Sequence, residues 1–531
     1  MILDAKEILT QAQSAWTIRD LWRSVLQEAY DLAFPGVSPY VSDKKHPRAQ
    51  NRLFDSTAVY SVIRLVNRLF NEITPPSGEM GKIESGPLLE VKLGPEGKDQ
   101  IDGLNRELEH SNAIITMFFQ AASFAAAFWA AWVDFVVAGM GCVLVLENPE
   151  DDLEPLIFEA VSQSEIAITE GAGSKISEVF RKRKIKVRMI KRLWNDATIP
   201  DDLPKSDEKD KDPEIDIIEV CYKNVDSGKD TNRGEWIYEV LWNRGDNPAT
   251  LVSRDYNTCP YIIWRAMKIA GSPYGPGYVL TALSDIRTAN KVKEMILKQA
   301  ALALAGIYLA ADDGVLNIDN VQITNGAIIP VQRTGGTMGA SLAPLETGRN
   351  FDMSQLVIEE LRGQIKGGLL DRQLPPLDGK VRSATEFIER QQALSEDIGG
   401  ELPRIMADLV VPLYRRAIDV ASRRGYIPPI KVDQFALKVT IKTPLARGEQ
   451  MRDVERVVQW WQIISSVVGP EIALSTIPVE RLLPWIAEQI GILPELYNTE
   501  AENESVKKTI LQLAAEKVAV QMGATSQPQA A

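Results

Sequence analysis

Histidine is almost missing from this chain: its 531 residues contain two, His46 and His110. A pair cannot build a histidine-rich metal centre, and no HExxH occurs. Cysteine is scarce as well. Cys142, Cys221 and Cys259 show no metal-ligand spacing and make no even disulfide set, so they read as reduced, buried thiols of a cytosolic protein. There is no GxSxG nucleophile elbow. A GxxxxGK[ST] phosphate loop is absent too: Gly171-Ala-Gly173-Ser-Lys175 is too short, lies among acidic residues and reads as a plain turn. The first residues, MILDAKEILTQAQSAW, are polar and carry no signal-peptide core. Together these absences argue against an enzyme, and no catalytic group, metal or cofactor is expected. The enzymatic alternative that remains is a carboxylate site around Asp151, Asp152 and Glu154.

Positive charge is also in deficit. There are 59 Lys and Arg against 72 Asp and Glu, a net charge of −13. Tight, non-specific nucleic-acid binding depends on Lys and Arg displacing counterions, so this balance opposes it. One stretch runs the other way: Arg181–Arg192 (RKRKIKVRMIKR) has eight basic residues in twelve. Such runs are usually solvated faces. A contact with an acidic neighbouring subunit, or with DNA, is the functional alternative.

Length and composition, 45% hydrophobic and 25% charged, allow a large core and more than one domain. Helical spacing marks residues 1–31, 53–73 and 101–137; in VYSVIRLVNRLFNEI, Val59, Val62, Ile63, Val66, Leu69 and Phe70 share a face. Strands are expected at Val143–Glu147, Ile157–Ala160, Ile166–Thr169, Lys184–Lys191, Ile215–Tyr222 and Trp236–Trp242, the last two flanking a polar turn. Residues 200–214 are too charged and proline-rich to pack and read as an exposed loop. His110 precedes Ser111, which is expected to cap a helix at the surface. From residue 281 onward helices dominate, interrupted by a β-like segment at 307–332.

Ala113–Val133 holds 21 residues without a charge, long enough to span a bilayer. The flanks favour a buried helix instead. Glu107 and Glu109 precede the run, Asp134 closes it, and the next basic residue is Lys175. A membrane-anchored structural protein is the alternative this segment leaves open.

The most informative stretch is Cys259–Gly306. A strand-like run, Tyr261–Trp264, leads into a turn rich in Gly and Pro (Gly271, Pro273, Gly275, Pro276, Gly277) and then a long helix. On that helix Arg287, Lys291, Glu294 and Lys298 form one stripe, with Ala289, Val292, Ile296, Ala300 and Ala303 opposite. Ile307–Val331 follows, with short apolar runs broken by Asp-Gly and Asn-Gly turns; its Asp312, Asp313, Asp319 and Asn320 do not fit a calcium loop. A second helix is expected at Phe351–Lys366. Residues 367–382 are broken by three Gly and a Pro pair, and Ser383-Ala-Thr-Glu386 then makes a capping box. The helix it starts runs toward Arg424, with kinks expected at Pro403 and Pro412. Further helices are expected at 450–468, 478–490 and 500–522.

This order of elements resembles the head-to-tail connecting proteins, the portal proteins of short-tailed phages. The likeness runs from Leu21 to about Tyr497 and is strongest at 259–306 and 383–416. It departs after Thr74-Pro-Pro, where the family often has an aromatic pair and this chain has Ser-Gly-Glu-Met-Gly. The resemblance implies an α+β, predominantly helical portal fold assembling into a ring: wing (1–280), stem helix (281–306), clip (307–346), second stem helix (347–366), tunnel loop (367–382), long kinked helix with wing return (383–449), and crown with tail (450–531). It implies a ring, usually of twelve copies, at one capsid vertex of the virion, assembled in the host cytoplasm and binding no membrane. Duplex DNA would pass through it. Its partners would be the major capsid protein, scaffolding protein, terminase large subunit and tail adaptor. Channel contacts would come from Arg287, Lys291, Glu294 and Lys298 on the stem and Asp371, Arg372, Asp378, Lys380 and Arg382 in the loop. Docking would use Asp312, Asp313, Asp319 and Asn320. An acidic wall with sparse basic contacts suits a channel that must let a polyanion slide without holding it.

Overall fold

The longest apolar stretch does not form one helix. In the computed structural model, helix α5 (Lys98–Phe119) stops at Gln120, and α6 (Ala122–Ala138) starts after Ala121, whose backbone is extended. The two axes differ by 69°, and no single helix among the described residues is long and apolar enough to cross a membrane. The described residues are 4–36, 40, 53–77, 80–93, 98–148, 151, 154–204, 212–224, 234–245, 247–305, 308–310, 342–344, 351–371, 400–429, 437–443 and a few positions between 454 and 464.

The remaining helices are α1 (Ala5–Asp20), α2 (Arg23–Ala33), α3 (Thr57–Ile73), α4 (Pro87–Leu93), α7 (Ile190–Leu193), α8 (Tyr278–Thr281), α9 (Leu283–Ala305), α10 (Phe351–Gly368) and α11 (Leu402–Arg423). The strands are β1 (Gly81–Ser85), β2 (Met140–Glu147), β3 (Leu156–Ala160), β4 (Ile166–Glu170), β5 (Ile176–Lys186), β6 (Glu214–Lys223), β7 (Trp236–Trp242), β8 (Ala249–Tyr256), β9 (Tyr261–Arg265), β10 (Tyr308–Ala310), β11 (Leu342–Pro344) and β12 (Leu437–Ile441). The fold is mixed helix and sheet. The chain divides into two units. The first comprises Met1–Gly78, Ile83–Asp378 and Pro403–Val439; the second comprises Glu79–Lys82, Gly379–Leu402 and Thr440–Ala531. Within the second, the Lys442 N–H donates to the Met80 carbonyl at 2.8 Å.

The first unit is built on two antiparallel sheets, β4-β5-β6-β7-β8 and β3-β2-β9. Period-two alternation divides β6 between two environments. Ile218, Val220 and Tyr222 lie under α1 with Phe180, Ile237 and Leu241, where Ile8, Ala12 and Trp16 cover them. Ile217 and Cys221 join a core shared with Cys142 and Leu144 of β2 and Tyr261 and Ile263 of β9. Glu219 falls on that inner face and is fully buried.

Two arginines of the basic run are turned into this geometry. The strand expected at Lys184–Lys191 is in fact β5, which begins at Ile176 and ends at Lys186; helical turns follow, ending in α7. Its odd-numbered side chains point inward. Arg181 is opposite Glu219 in register and donates to Glu159 at 2.6 Å and Glu165 at 3.2 Å. Arg183 Nε lies 2.6 Å from Glu219 Oε1, and the Tyr238 and Tyr261 hydroxyls donate to Glu219 Oε2 at 2.9 and 2.8 Å. A buried charge is tolerable only when paired and hydrogen-bonded in this way. Lys182, Lys184 and Lys186 are exposed, with Lys182 over the Trp16 ring.

Helix α6 is the centre of the second layer. Phe124 meets Phe158 of β3 edge-on at 5.2 Å, and Phe128 stacks on Trp264 of β9 at 5.9 Å. Trp132 donates from its indole N–H to Thr74 Oγ1 at 2.9 Å. Burying each such ring stabilises by about 2–3 kcal/mol. At the C-terminus of α6, Gly139 adopts φ +84° and accepts the Ala266 N–H at 2.8 Å. A Cβ on Gly139 would lie 2.8 Å from Gly277 N and collide with the Gly275 carbonyl; one on Gly277 would lie 2.6 Å from Gly139 N. Backbone touches backbone here, and only glycine fits.

Beside α6 lies a polar cluster in which Arg19, Tyr30 and Gln163 are buried and Asp134 and Tyr40 are half-buried. Tyr30 donates to Asp134 Oδ1 at 2.6 Å, while buried Arg19 donates to Gln163 Oε1 at 2.7 Å and to Tyr40 at 3.1 Å. Burial pushes the Asp134 carboxyl up to about 7, against the lowering effects of Tyr30, the Gln163 backbone and Arg19.

Three expectations need correction. Ser111 is not a cap: it is buried in the interior of α5, because the helix begins thirteen residues earlier, and His110 beside it is exposed. Residues 1–31 form two helices, broken at Leu21–Trp22. Pro403 does not kink α11: it sits in the first turn, where its missing N–H has no intrahelical partner to lose, and Pro412 lies inside the helix. Gly171–Lys175 is a turn between β4 and β5, closed by a 2.8 Å bond from Gly171 N–H to the Lys175 carbonyl.

Gly139→Ala and Gly277→Ala are each expected to destabilise the fold by about 3 kcal/mol, read by chemical denaturation. A change below 0.5 kcal/mol in both, on the order of an ordinary surface substitution, would show that the contact is loose. Asp134 gives a pH dependence. Its folded pKa is raised, so its contribution is fully present below about pH 4 and is lost as pH rises through about 7. Asp134→Asn removes this loss, so stability relative to wild type is expected to rise by up to about 4 kcal/mol between those limits. A pH-independent difference would contradict the assignment.

Candidate functional site

Helix α9 starts where the glycine contact ends. Gly277 precedes α8, and α9 is buried in its first turns through Leu283, Ile286 and Ala289. The Asn290 side-chain oxygen accepts the backbone N–H groups of Phe54 and Asp55 at 2.7 and 3.1 Å, fixing the approach to α3. Arg287 makes a two-pronged pair with Glu28 of α2, both contacts at 2.7 Å.

Beyond Asn290 the burial fades. Val292, Ile296 and Ala300 are half-buried, while Met295 and Leu297 are 58% and 46% exposed. These last two point about 200° apart on the helix. The basic residues of the expected polar stripe are exposed and Glu294 is half-buried between two of them, accepting from Lys291 at 2.8 Å and from Lys298 at 2.6 Å. Those two hydrogen bonds, Lys291 first, hold the Glu294 carboxyl down to about 2. Arg287 faces Glu28 instead, so the four stripe residues are not one continuous chain of contacts.

Helix α10 packs against α9 and α3. Arg362 donates twice to Asp55 Oδ2, at 2.9 and 2.6 Å. Burial raises the Asp55 carboxyl, but hydrogen bonds from Thr57 and the Arg362 guanidinium outweigh it and hold the group below the usual range. Leu356 and Val357 of α10 are exposed.

The segment expected to be a charged loop from 367 is ordered at its start. α10 continues to Gly368, and Leu369 is fully buried. Asp371 is not a free tip: Ser61 Oγ donates to it at 2.7 Å, and Arg64 lies 3.2 Å away. Its carboxylate is pulled onto α3 because that helix offers a hydroxyl and a guanidinium one turn apart. Arg372, Asp378, Lys380 and Arg382 lie outside the described residues, as do Asp312, Asp313, Asp319, Asn320 and the capping box at 383–386. At the two ends of the 307–346 segment, β10 and β11 pair antiparallel, Tyr308 opposite Pro344.

Sequence reasoning missed Glu28, Asp55, Asn290 and Arg362. Asp55 carried a weak signal, an acid just before a helical run; its partner lies 307 positions away, which no local pattern reveals. Among the described residues no group of three or more His, Cys, Asp or Glu could hold a metal ion.

The sequence matches the family model of the bacteriophage head to tail connecting protein over residues 5–497. The chain belongs to that family. This connector is 22% identical over 408 residues to the portal protein of Enterobacteria phage T3, and 23% identical over 410 residues to that of Escherichia phage T7. Each match covers 75% of the connector and 70% of its relative. Two solved structures are more distant. The neck of an empty GTA particle gives a TM-score of 0.36 at 13% identity, covering 78% of this chain and 87% of that one. The virion of a native gene transfer agent gives 0.33 at 11%, covering 78% and 86%. Portal, or head–tail connector, function follows from the family, and portal proteins are structural rather than enzymatic.

Replacing Arg362 with Ala removes the charged partner of the Asp55 carboxylate, whose side chain is 3% exposed and keeps its Thr57 hydrogen bonds, and is expected to cost about 2 kcal/mol. Lys298→Ala, at a side chain 69% exposed, is expected to leave the melting temperature unchanged. Equal losses in the two variants would show that the stripe carries packing load.

Proposed function

We propose that copies of this chain close side by side into a ring around an open axis, and that duplex DNA passes along that axis during packaging and ejection. The ring sits at one vertex of the capsid, where it contacts the major capsid and scaffolding proteins, takes the terminase large subunit during packaging and later takes the tail adaptor. Twelve copies is the number the family resemblance implies. In this reading residues 1–280 form the wing, α9 and α10 the stem, the 307–346 segment the clip and the last 80 or so residues the crown.

The observation that carries the reading is the two-sided apolar exposure of α9. A helix with Met295 and Leu297 uncovered in nearly opposite directions needs a neighbour on each side. Head-to-tail contacts between copies supply two different neighbours, and such contacts close into a ring when the rotation allows. The paired stripe fits the same picture. Lys291 and Lys298 share the single Glu294 carboxylate, which cancels one of their two positive charges, and a wall whose cations are already partnered offers a polyanion fewer lasting contacts.

Imaging of the purified protein by negative-stain microscopy is expected to show rings with a central hole; compact 58.9 kDa monomers at high concentration would overturn the proposal. The simultaneous change of Arg287, Lys291 and Lys298 to Ala is expected to leave rings intact and to alter the rate or yield of DNA packaging in infection. Deleting 373–382, which spares Leu369 and Asp371, is expected to do the same. Loss of the ring in either variant would assign those residues to assembly.

A further inference from the structure

Two of the three cysteines meet although they are 38 positions apart, and nothing in the connector function uses them. Cys221 is fully buried on β6, on the face turned toward β2 and β9. Cys259 is half-exposed in the segment entering β9. Their sulfurs stand 3.8 Å apart. The Cys259 segment is tethered on both sides. Before it, Asn257 and Thr258 donate to Asp419 of α11 at 2.9 and 3.4 Å; after it, the Pro260 carbonyl accepts the Val145 N–H at 2.8 Å. The thiols are therefore held near each other by contacts that do not involve sulfur. The third thiol, Cys142, is fully buried on β2.

We propose that Cys221 and Cys259 are a reversible disulfide pair, open in a reducing cytosol and closed by a small disulfide oxidant of the glutathione class. The chemistry balances in two exchanges. The Cys259 thiolate attacks one sulfur of the oxidant, releasing one reduced thiol and leaving a mixed disulfide. Cys221 then loses its proton and attacks Cys259 Sγ, and the second oxidant thiol leaves. The protein loses two electrons and two protons, and the oxidant is reduced to two thiols. The sulfurs have to close from 3.8 Å to about 2 Å. Burial pushes the Cys221 thiol up, as does its hydrogen bond to Cys259, so the second exchange quickens as the pH rises. The bond would tie the five-stranded sheet to the strand that leads into the Gly139–Gly277 contact. The loop it closes contains β7 and β8, and cross-linking such a loop restricts the unfolded chain. The proposal does not depend on ring formation.

The test uses full-length protein incubated with oxidised glutathione, quenched, denatured, alkylated and mapped by peptide mass spectrometry. The expected result is a Cys221–Cys259 linked peptide, with Cys142 alkylated. The melting temperature should rise by several degrees and fall back with dithiothreitol. Cys142→Ser is expected to keep the link and the rise; Cys259→Ser is expected to lose both. If Cys259→Ser does not fold, the map of the wild-type protein decides alone. Three free thiols, a glutathione adduct that never closes, or a link through Cys142 or between chains would each overturn the pairing.

Discussion

Backbone contact between Gly139 and the 275–277 turn is the constraint on which the rest depends. The end of α6, the start of β2, the end of β9 and the launch of α8 and α9 all converge within one residue's width there. No side chain mediates the contact, so nothing can relax when it is loaded. The aromatic layer of α6 on Phe158 and Trp264 holds one side, and the β2–β9 ladder holds the other. The direction in which α9 leaves the body is therefore set by rigid parts.

Charge plays a similar part between the sheets. An acidic chain has little cationic surface to give away, and its densest basic run is partly turned inward. Arg181 and Arg183 pair with Glu159, Glu165 and Glu219, and two tyrosine hydroxyls donate to Glu219 Oε2. Removing one member would leave another charge buried and alone, which costs far more than the pair contributes. A register slip of one residue in β5 would carry the arginines to the α1 face, away from every acid they meet. Those two arginines thus specify sheet pairing, while the other six basic residues of the run, Lys182, Lys184, Lys186, Arg188, Lys191 and Arg192, are exposed.

Much of this was legible in the sequence. The β6–β7 hairpin, the α3 face and the strand–turn–helix passage at 259–306 follow from apolar period and from Gly and Pro placement, and the structure has each within a few residues. What was not legible depended on distant partners. β8 was missed because Ser253, Arg254 and Asp255 make it look like a loop, yet as the last strand in the sheet order it can afford polar residues. The break at Gln120–Ala121 leaves no mark in an uncharged run. Glycine-rich spacing identified a turn at 271–277, whereas the partner that demands those glycines sits at position 139. Asp371 looked like a loop charge until α3 supplied Ser61 and Arg64.

The distribution of burial along α9 joins these points. Its 23 residues span about 35 Å, and only the first turns are clamped, by Leu283, Ile286, Ala289, the Asn290 bonds and the Arg287–Glu28 pair. Further along, α10 covers one side, and apolar groups still face outward on others. A helix rooted so firmly at one end and so incompletely covered at the other is costly in water for an isolated chain, because exposed Met and Leu bring no compensating contact. The cost disappears if the uncovered faces meet copies of themselves. Stiffness at Gly139 and incompleteness along α9 are, on the connector reading, two halves of one requirement.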